Sequence, residues 1–321
     1  MSSITSQRSS KFYLSIALYV LFFLVMALII GGLHGQAKSK AGEVMMILMS
    51  AGLVFGAFYT VIRFFKNAPK IAVDDKSISF NDSTYYWKDL KNIEMTGKRP
   101  FKFIGEQREG VLLKFNGQDE RYIFDDMYGN AAEIKRFIQQ TVVVESPSEF
   151  TKTDHNVPVG AMPKSFKYYK GVQFFCFEGI ALWGLTLFLI YIGILDYLRH
   201  NHRASLIMPV IFGFFMFILF SQRMYYFGLS ENLLAIRNQN FPWVRKVIPL
   251  FDIREIVFEQ KHKMPVTLRI IKKDFTSQTY PAATIWSKKW MMLKNDLEKK
   301  GIKVRNECVY YEPFEFKFFN D

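Results

Sequence analysis

The sequence predicts an α+β membrane protein with four transmembrane helices in two hairpins, each followed by a small β-barrel or sandwich capped by a C-terminal helix. Three observations support this prediction. Apolar, helix-length stretches occur in two pairs, at 12–33 and 44–62, and at 172–195 and 206–220. A region with short, alternating apolar segments follows each pair. Each region also carries one short signature, Asp89-Leu90-Lys91-Asn92-Ile93 in the first and Asp252-Ile253-Arg254-Glu255-Ile256 in the second.

The composition agrees with a protein that lies partly in a membrane and partly in water. Hydrophobic residues make up 50% and charged residues 22% of the 321 residues. A bilayer core of about 30 Å requires about 20 apolar residues in a helix, and the stretch 12–33 contains no charged residue. A cleavable signal peptide is the alternative interpretation of this stretch. It is disfavoured because the apolar run is long and residues 31–35 form a poor cleavage site.

The distribution of Lys and Arg near the helix ends predicts the orientation in the membrane. The side of the two β-rich regions holds Arg8, Lys11, Arg63, Lys66, Lys70, Lys164, Lys167, Lys170 and Arg223, whereas the short loops on the other side hold Lys38, Lys40, Arg199 and Arg203. We therefore expect the N-terminus and both β-rich domains in the cytoplasm. Only two cysteines, Cys176 and Cys308, are present, which excludes a disulfide framework and fits a reducing compartment.

The apolar stretches divide the chain into six parts. They are an N-terminal tail with hairpin 1 (1–66), a first β-rich domain (67–142), a linker (143–170), hairpin 2 (171–224), a second β-rich domain (225–305) and an aromatic C-terminal tail (306–321). In the first domain Asn116-Gly117 predicts a β-hairpin with a type I′ turn, and a helix follows Gly129. In the second domain Trp286, Trp290, Leu293 and Leu297 predict one buried face of a closing helix.

Two segments of the first domain resemble a known family. Residues 71–78 are an extended run around the acidic turn Asp74-Asp75, and residues 87–93 read Trp-Lys-Asp-Leu-Lys-Asn-Ile. With two apolar helices in front, this order is similar to the bacterial PH-like membrane proteins, here as a tandem duplication. The second region keeps the signature but lacks the Trp two residues before its Asp. The resemblance implies PH-like domains and a bacterial inner (plasma) membrane.

Domains of this fold commonly serve as docking surfaces, which is an argument from fold alone. Eukaryotic PH domains hold phosphoinositides with a basic loop between their first two strands. The matching positions here are Asp74-Asp75-Lys76 and Ser230-Glu231-Asn232, and acidic residues there would repel a phosphorylated headgroup. We therefore do not expect phosphoinositide binding. The Asp of each signature is expected to cap a tight turn rather than to act in catalysis.

Two features of the apolar stretches are candidates for function. Glu178 lies inside the third stretch, and a carboxylate within a membrane is a candidate functional group. The alternative places Glu178 in the headgroup region near the positive end of the helix dipole. Gly52 and Gly56 form a G-x-x-x-G pattern in the second stretch, which allows close helix packing, either within the protein's own bundle or in a homodimer.

Two further groups are candidate contacts with the membrane surface or a partner. The second domain carries a net charge of +7 and the first domain, with its linker, +3. The anionic inner leaflet is the nearest target for a tethered basic domain, so no nucleic-acid partner is expected. The candidate residues of this second domain and of the alternating tail are Arg245, Lys246, Lys272, Lys273, Phe314, Phe316 and Phe318.

No P-loop, G-x-S-x-G, H-E-x-x-H or paired C-x-x-C motif occurs in the sequence, so no enzyme activity, cofactor or metal is predicted. The leading hypothesis is a non-enzymatic integral membrane protein. Its cytosolic PH-like domains would dock a protein partner, still to be identified, or the lipid surface, with a homo-oligomer also considered. The alternatives are a transporter or channel subunit with Glu178 in the pathway, and a membrane enzyme that acts on lipid.

Overall fold

A computed structural model describes residues 3–33, 39–101, 103, 106–117, 120–143, 165–200, 204–260 and 264–308. The chain divides into two compact units, Met1–Thr151 and Lys152–Asp321. The class is mixed α+β. The described residues form helices α1 to α6 at Ser10–Gly32, Lys40–Asn67, Ala131–Ile138, Phe177–His200, Ala204–Ser221 and Ser287–Lys299.

Among the residues that the structure describes, three helices are long and apolar enough to cross a membrane: α1, α2 and the segment Phe177–Arg199 of α4. Four were predicted from the sequence, so the count differs by one. The fourth apolar helix, α5, has 18 residues. Its segment Ile211–Ser221 is apolar but short. That part is shorter than the run of about 20 residues that a bilayer requires.

Side chains set where the long helices begin. The Ser9 hydroxyl accepts a hydrogen bond from Phe12 N at 3.1 Å and caps α1, and Ser39 caps α2 through Gly42 N at 3.2 Å. The third apolar stretch begins with a 3-10 turn, Gln173–Phe175, before α4 starts at Phe177. There the Cys176 thiol accepts a hydrogen bond from Gly179 N at 3.2 Å. These contacts satisfy N–H groups that have no partner within the helix.

The strands are β1 to β16 in chain order. In the first unit, β1 to β8 are Ile4–Thr5, Ile71–Val73, Ser77–Phe80, Ser83–Tyr86, Leu90–Glu94, Lys98–Pro100, Gln107–Phe115 and Glu120–Phe124. In the second unit, β9 to β16 are Lys167–Tyr169, Tyr225–Leu229, Leu233–Asn238, Arg245–Pro249, Ile253–Glu259, Thr267–Lys272, Ser277–Pro281 and Lys303–Glu307.

Each unit contains two four-stranded sheets. The first unit has the order β1-β2-β3-β4 in one sheet, and β5-β7-β6 with β8 also paired to β7 in the other. The second unit has the orders β12-β11-β10-β9 and β15-β14-β13-β16. All pairs are antiparallel except β13 with β16, which is parallel. Both units therefore show nearly the same order of helices and strands.

Both helical hairpins are inserted within a sheet. Strand β1 precedes α1 and pairs with β2, which follows α2, so that Ile4 lies opposite Val73. Strand β9 precedes α4 and pairs with β10, which follows α5, so that Tyr169 lies opposite Phe227. The sequence analysis predicted neither β1 nor β9. A strand of two or three residues is too short to show an alternating pattern.

The closing helices bury one face each. In α6, Trp290, Leu293 and Leu297 are buried within the core of the second unit, as predicted. Trp286 is 58% exposed, so its predicted burial is wrong. The reason is that Trp286 is the N-cap residue of α6 and not part of the helix.

The predicted hairpin after β7 is confirmed, because Lys114 of β7 lies opposite Glu120 of β8. Its predicted type I′ turn is wrong, since Gly117 has a φ of 68° but Asn116 does not have a positive φ. Strand β6 ends at Pro100, and Phe101 and Phe103, which follow it, are buried.

The shared signature begins at the last residue of a 3-10 turn in both units, Trp87–Asp89 and Leu250–Asp252. The carbonyl of Asp89 accepts a hydrogen bond from Asn116 N at 2.9 Å, and the carbonyl of Asp252 accepts one from Lys273 N at 2.8 Å. These bonds tie the start of one strand to the end of its neighbour. Capping of the turn by the Asp carboxylate is a different role, and it stays a prediction.

Candidate membrane-interface site

The candidate site consists of the two hairpin bases, where the apolar helices meet the sheets. In the first unit the base is an aromatic cluster. The ring of Phe64, near the end of α2, lies 5.2 Å from that of Phe101 and 5.4 Å from that of Phe103. Phe103 also contacts Tyr19 of α1 at 5.4 Å. Residues that follow β6 therefore pack against both helices of the hairpin.

Two arginines lie on these rings. The Arg108 guanidinium is 4.3 Å from the ring centre of Phe101, and it forms an ion pair of 2.7 Å with Glu106. The Arg8 guanidinium is 4.6 Å from the Phe65 ring and donates to the Ala68 carbonyl at 3.3 Å. Cation–π contacts of this kind fix the direction of an aromatic side chain. Hairpin 1 is thus held to its domain by packing and by charge.

Asn130, at the start of α3, holds β1 in place. Its amide oxygen accepts a hydrogen bond from Gln7 N at 2.9 Å, and its amide nitrogen donates to the Thr5 carbonyl at 2.9 Å. The end of β1 and the segment that follows it are therefore joined to the start of α3.

In the second unit the base is a polar network around Asn240. Its amide nitrogen donates to the Ser221 hydroxyl at 2.7 Å, and its amide oxygen accepts from the Gln173 side chain at 2.6 Å. The neighbouring Asn238 donates to the Ser221 carbonyl at 2.7 Å. Since Ser221 ends α5 and Gln173 precedes α4, these bonds tie both ends of hairpin 2 to the loop between β11 and β12. The sequence gives no indication of this network, because Asn-Gln-Asn between two apolar runs is typical of an ordinary turn.

Gly171 allows a close backbone approach at the same base. A Cβ atom at Gly171 would lie 1.4 Å from the Thr284 carbonyl oxygen. Gln239 lies beside this contact and donates to the Thr284 hydroxyl at 2.7 Å. Any side chain at position 171 would therefore separate the segment before α4 from the segment before α6.

The carboxylate of Asp296 in α6 binds β9. It forms an ion pair of 2.5 Å with Lys167 and accepts a hydrogen bond from the Tyr169 hydroxyl. The hydrogen bonds from Lys167 and Tyr169 lower the pKa of the Asp296 carboxyl. Burial, together with the Asp296 carboxylate, raises the pKa of Tyr169 above its ordinary value.

The turns Asp74-Asp75-Lys76 and Ser230-Glu231-Asn232 are closed by their own residues. The Asp74 carboxylate accepts hydrogen bonds from Lys76 N at 2.8 Å and Ser77 N at 2.7 Å, and the backbone bond from Lys76 is the main cause of its lowered pKa. In the second unit the Ser230 hydroxyl accepts from Leu233 N at 3.1 Å. In both turns, the side chain of the first residue thus accepts hydrogen bonds from backbone N–H groups that follow it.

The structure brings two of the four candidate basic residues together. Burial and the nearby charge of Lys272 lower the pKa of Lys246, whose ammonium group donates to the Gln278 side chain. Arg245 and Lys273 are exposed. Phe314, Phe316 and Phe318 lie outside the described residues.

Glu178 lies in the first turn of α4, because α4 begins at Phe177, after the 3-10 turn, and not at the start of the apolar stretch. Gly56 packs within its own hairpin, where a Cβ atom would lie 3.4 Å from the Phe23 ring of α1. A Cβ atom at Gly52 would meet no described atom within 4 Å.

Within the described ranges, no group of three His, Cys, Asp or Glu side chains could hold a metal ion. No protein-family model and no curated protein matches this chain. Three helices that could span a bilayer, joined to paired sheets, support a membrane protein of the mixed α+β class.

Proposed function

We propose that this chain is a non-enzymatic integral membrane protein of the bacterial inner membrane. Its two sheet domains are PH-like, arose by duplication, and act in the cytoplasm as docking surfaces for a protein partner. The main supporting observation is the insertion of each hairpin between two paired strands. This connection fixes a domain at the bilayer more firmly than a single tether, because two strands and the hairpin base all hold it.

The same connection supports four spans. Strands β9 and β10 belong to one sheet, so the start of α4 and the end of α5 lie on the same side of the bilayer. If α4 crosses the bilayer, α5 must return across it. The 18 residues of α5 extend for about 27 Å at about 1.5 Å per residue, which is close to the thickness of the hydrocarbon core.

A domain held in this way is suited to docking. A preorganised surface loses little conformational freedom when its partner binds, so more of the contact energy contributes to affinity. Two such domains on one chain also raise the effective concentration of the second contact once the first has formed.

The position of Glu178 supports docking over the transport alternative. Ion and substrate sites of transporters lie near the middle of the bilayer, whereas the first turn of a spanning helix is near its end. A carboxylate in the first turn is also favoured by the helix dipole. Glu178 therefore has a structural explanation that requires no pathway.

The test is crosslinking of the tagged full-length protein in native membranes, followed by purification and mass spectrometry. We expect one reproducible partner crosslinked to lysines within 70–150 or 230–305. Lys40, at the start of α2, is the internal control, because it lies on the opposite side of the membrane and should not react with a cytoplasmic partner. Crosslinks confined to the chain itself, or to copies of it, would overturn the protein-docking proposal.

A further inference from the structure

The loop between β11 and β12, residues 239–244, lies alongside an apolar helix; we call it the Trp243 loop. The ring of Phe241 packs edge-on against that of Phe217 in α5 at 6.1 Å. Phe217 precedes the last residue of α5 by four positions, which corresponds to about 6 Å along the helix axis. The loop therefore extends past the end of the helix, along its apolar side.

Trp243 is the most exposed large aromatic side chain of this loop. It is 75% exposed, and its ring lies 5.4 Å from that of Phe241. An indole ring that is open to water beside an apolar helix leaves much hydrophobic surface uncovered. Tryptophan is enriched where a bilayer meets water, because its ring is apolar and its N–H is polar.

A second segment of the same base repeats this arrangement. The ring of Phe174, in the 3-10 turn before α4, stacks on that of Trp183 at 6.0 Å. Trp183 is six residues beyond the start of α4, or about 9 Å along its axis. Phe174 is itself 61% exposed. Two segments outside the α-helices thus lie beside the start of α4 and the end of α5.

The backbone of the Trp243 loop is suited to a poorly hydrated environment. The Asn238 side-chain oxygen accepts hydrogen bonds from Asn240 N at 2.9 Å and from Phe241 N at 3.1 Å. Val244 N donates to the Phe241 carbonyl at 2.9 Å. An irregular segment can approach a bilayer only when its backbone groups have partners within the protein.

We infer that the Trp243 loop and Phe174 are embedded in the interfacial layer of the lipid bilayer, on the side of the sheet domain. The bilayer is the occupant because this surface continues that of the apolar helices. Arg223, just after α5, and Arg245, just after the loop, are placed to attract anionic headgroups. This inference rests on the proposal that α4 and α5 span the membrane. It adds to that proposal the depth at which the second domain lies in the membrane.

The test uses tryptophan fluorescence in vesicles whose phospholipids carry bromine near the headgroup or near the chain end. Three variants of the full chain retain only Trp243, Trp183 or Trp87, with the other tryptophans replaced by Phe. Trp87 is the control that should lie in water. Its indole N–H donates to the Asp74 carbonyl, which follows the end of β2 that is remote from α2. We expect Trp243 to lose emission most strongly with bromine near the headgroup, and Trp87 to lose none.

The outcomes separate this inference from the spanning proposal. If Trp183 is quenched but Trp243 is not, the loop lies in water or against a protein and the inference is overturned, while the span stands. If neither is quenched, the span itself fails. Because Trp290→Phe alters a buried residue, a second measurement uses W243F in the otherwise unchanged chain. We expect W243F to lose the component of wild-type emission that shallow bromine quenches, and equal quenching of W243F and wild type would also overturn the inference.

Discussion

The Tyr169 hydroxyl donates a hydrogen bond to the Asp296 carboxylate. This bond joins the strand before hairpin 2 to the helix that closes the second unit. Lys167, two residues earlier in the same strand, pairs with the same carboxylate. One acidic group, which follows hairpin 2 in the chain, therefore holds two residues that precede it.

Asp296→Asn should lower the free energy of unfolding of the second unit by about 1 kcal/mol at pH 7, because charged hydrogen bonds become neutral ones. The pKa of the Asp296 carboxyl is lower in the folded protein than in the unfolded chain, where it is about 3.9. The stabilisation is therefore fully present above the unfolded pKa, and it is lost as the pH falls through the folded pKa. Thermal unfolding in detergent between pH 7 and pH 3 measures the difference.

Glu298→Gln is the matched control for Asp296→Asn. Glu298 lies in the same helix, and its side chain is 44% exposed and pairs only weakly with Lys294, at 3.8 Å. We expect a change of less than about 0.5 kcal/mol. Equal effects of the two substitutions would show that Asp296 has no special role in holding β9.

Gly171→Ala should destabilise the second unit by about 3 kcal/mol, because the new methyl group would overlap the Thr284 carbonyl and separate two segments of the base. Gly184→Ala in α4 is the control, since a Cβ atom there would meet no described atom within 4 Å. Denaturant unfolding followed by near-UV circular dichroism distinguishes the two. A tolerated Gly171→Ala would mean that the hairpin base is less closely packed than the structure indicates.

Gly56→Leu should lower the stability of hairpin 1 by about 1–3 kcal/mol, because the side chain would push against the Phe23 ring. Gly52→Leu, one turn away in the same helix, should change it by less than about 0.5 kcal/mol. Steric trapping of the helices in bicelles measures both. If Gly52→Leu instead disrupts self-association of the chain measured by energy transfer, the glycine pattern forms a homodimer contact.

Lys272→Gln should raise the pKa of Lys246, because it removes the like charge that helps to depress it. Lys273→Gln removes the same charge from the adjacent position and should leave that pKa unchanged. An NMR titration of the lysine ε-methylene groups reports both values. A larger change in the pKa of Lys246 after Lys273→Gln would show that Lys273, and not Lys272, lies close to Lys246.

The apolar runs and the alternating strands of this fold could be predicted because their patterns are long. The predicted helix in α6 and the hairpin after β7 belong to this group. The sequence left the start of α4 open between the beginning of the apolar stretch and a later position that puts Glu178 in the headgroup region, because Phe174 and Phe175 are as apolar as the helix that follows. That difference of a few residues decides whether Glu178 lies inside the span or at its end.

The hairpin bases could not be predicted, because they depend on partners that are distant in the sequence. Asn130 carries no signal of its contact with Thr5, and Asn240 none of its contact with Gln173. The sequence likewise does not show that the backbone of Gly171 approaches that of Thr284 closely. It also carries no signal that Phe101 and Phe103 contact Phe64 of α2.

The pairing of β1 with β2 also sets an order of events during synthesis. Strand β1 leaves the ribosome before either helix of its hairpin, but its partner strand follows both. The first sheet can therefore close only after both helices of its hairpin have been synthesised. The same holds for the sheet that contains β9 and β10, so closure of these two sheets is a late, non-local step of folding.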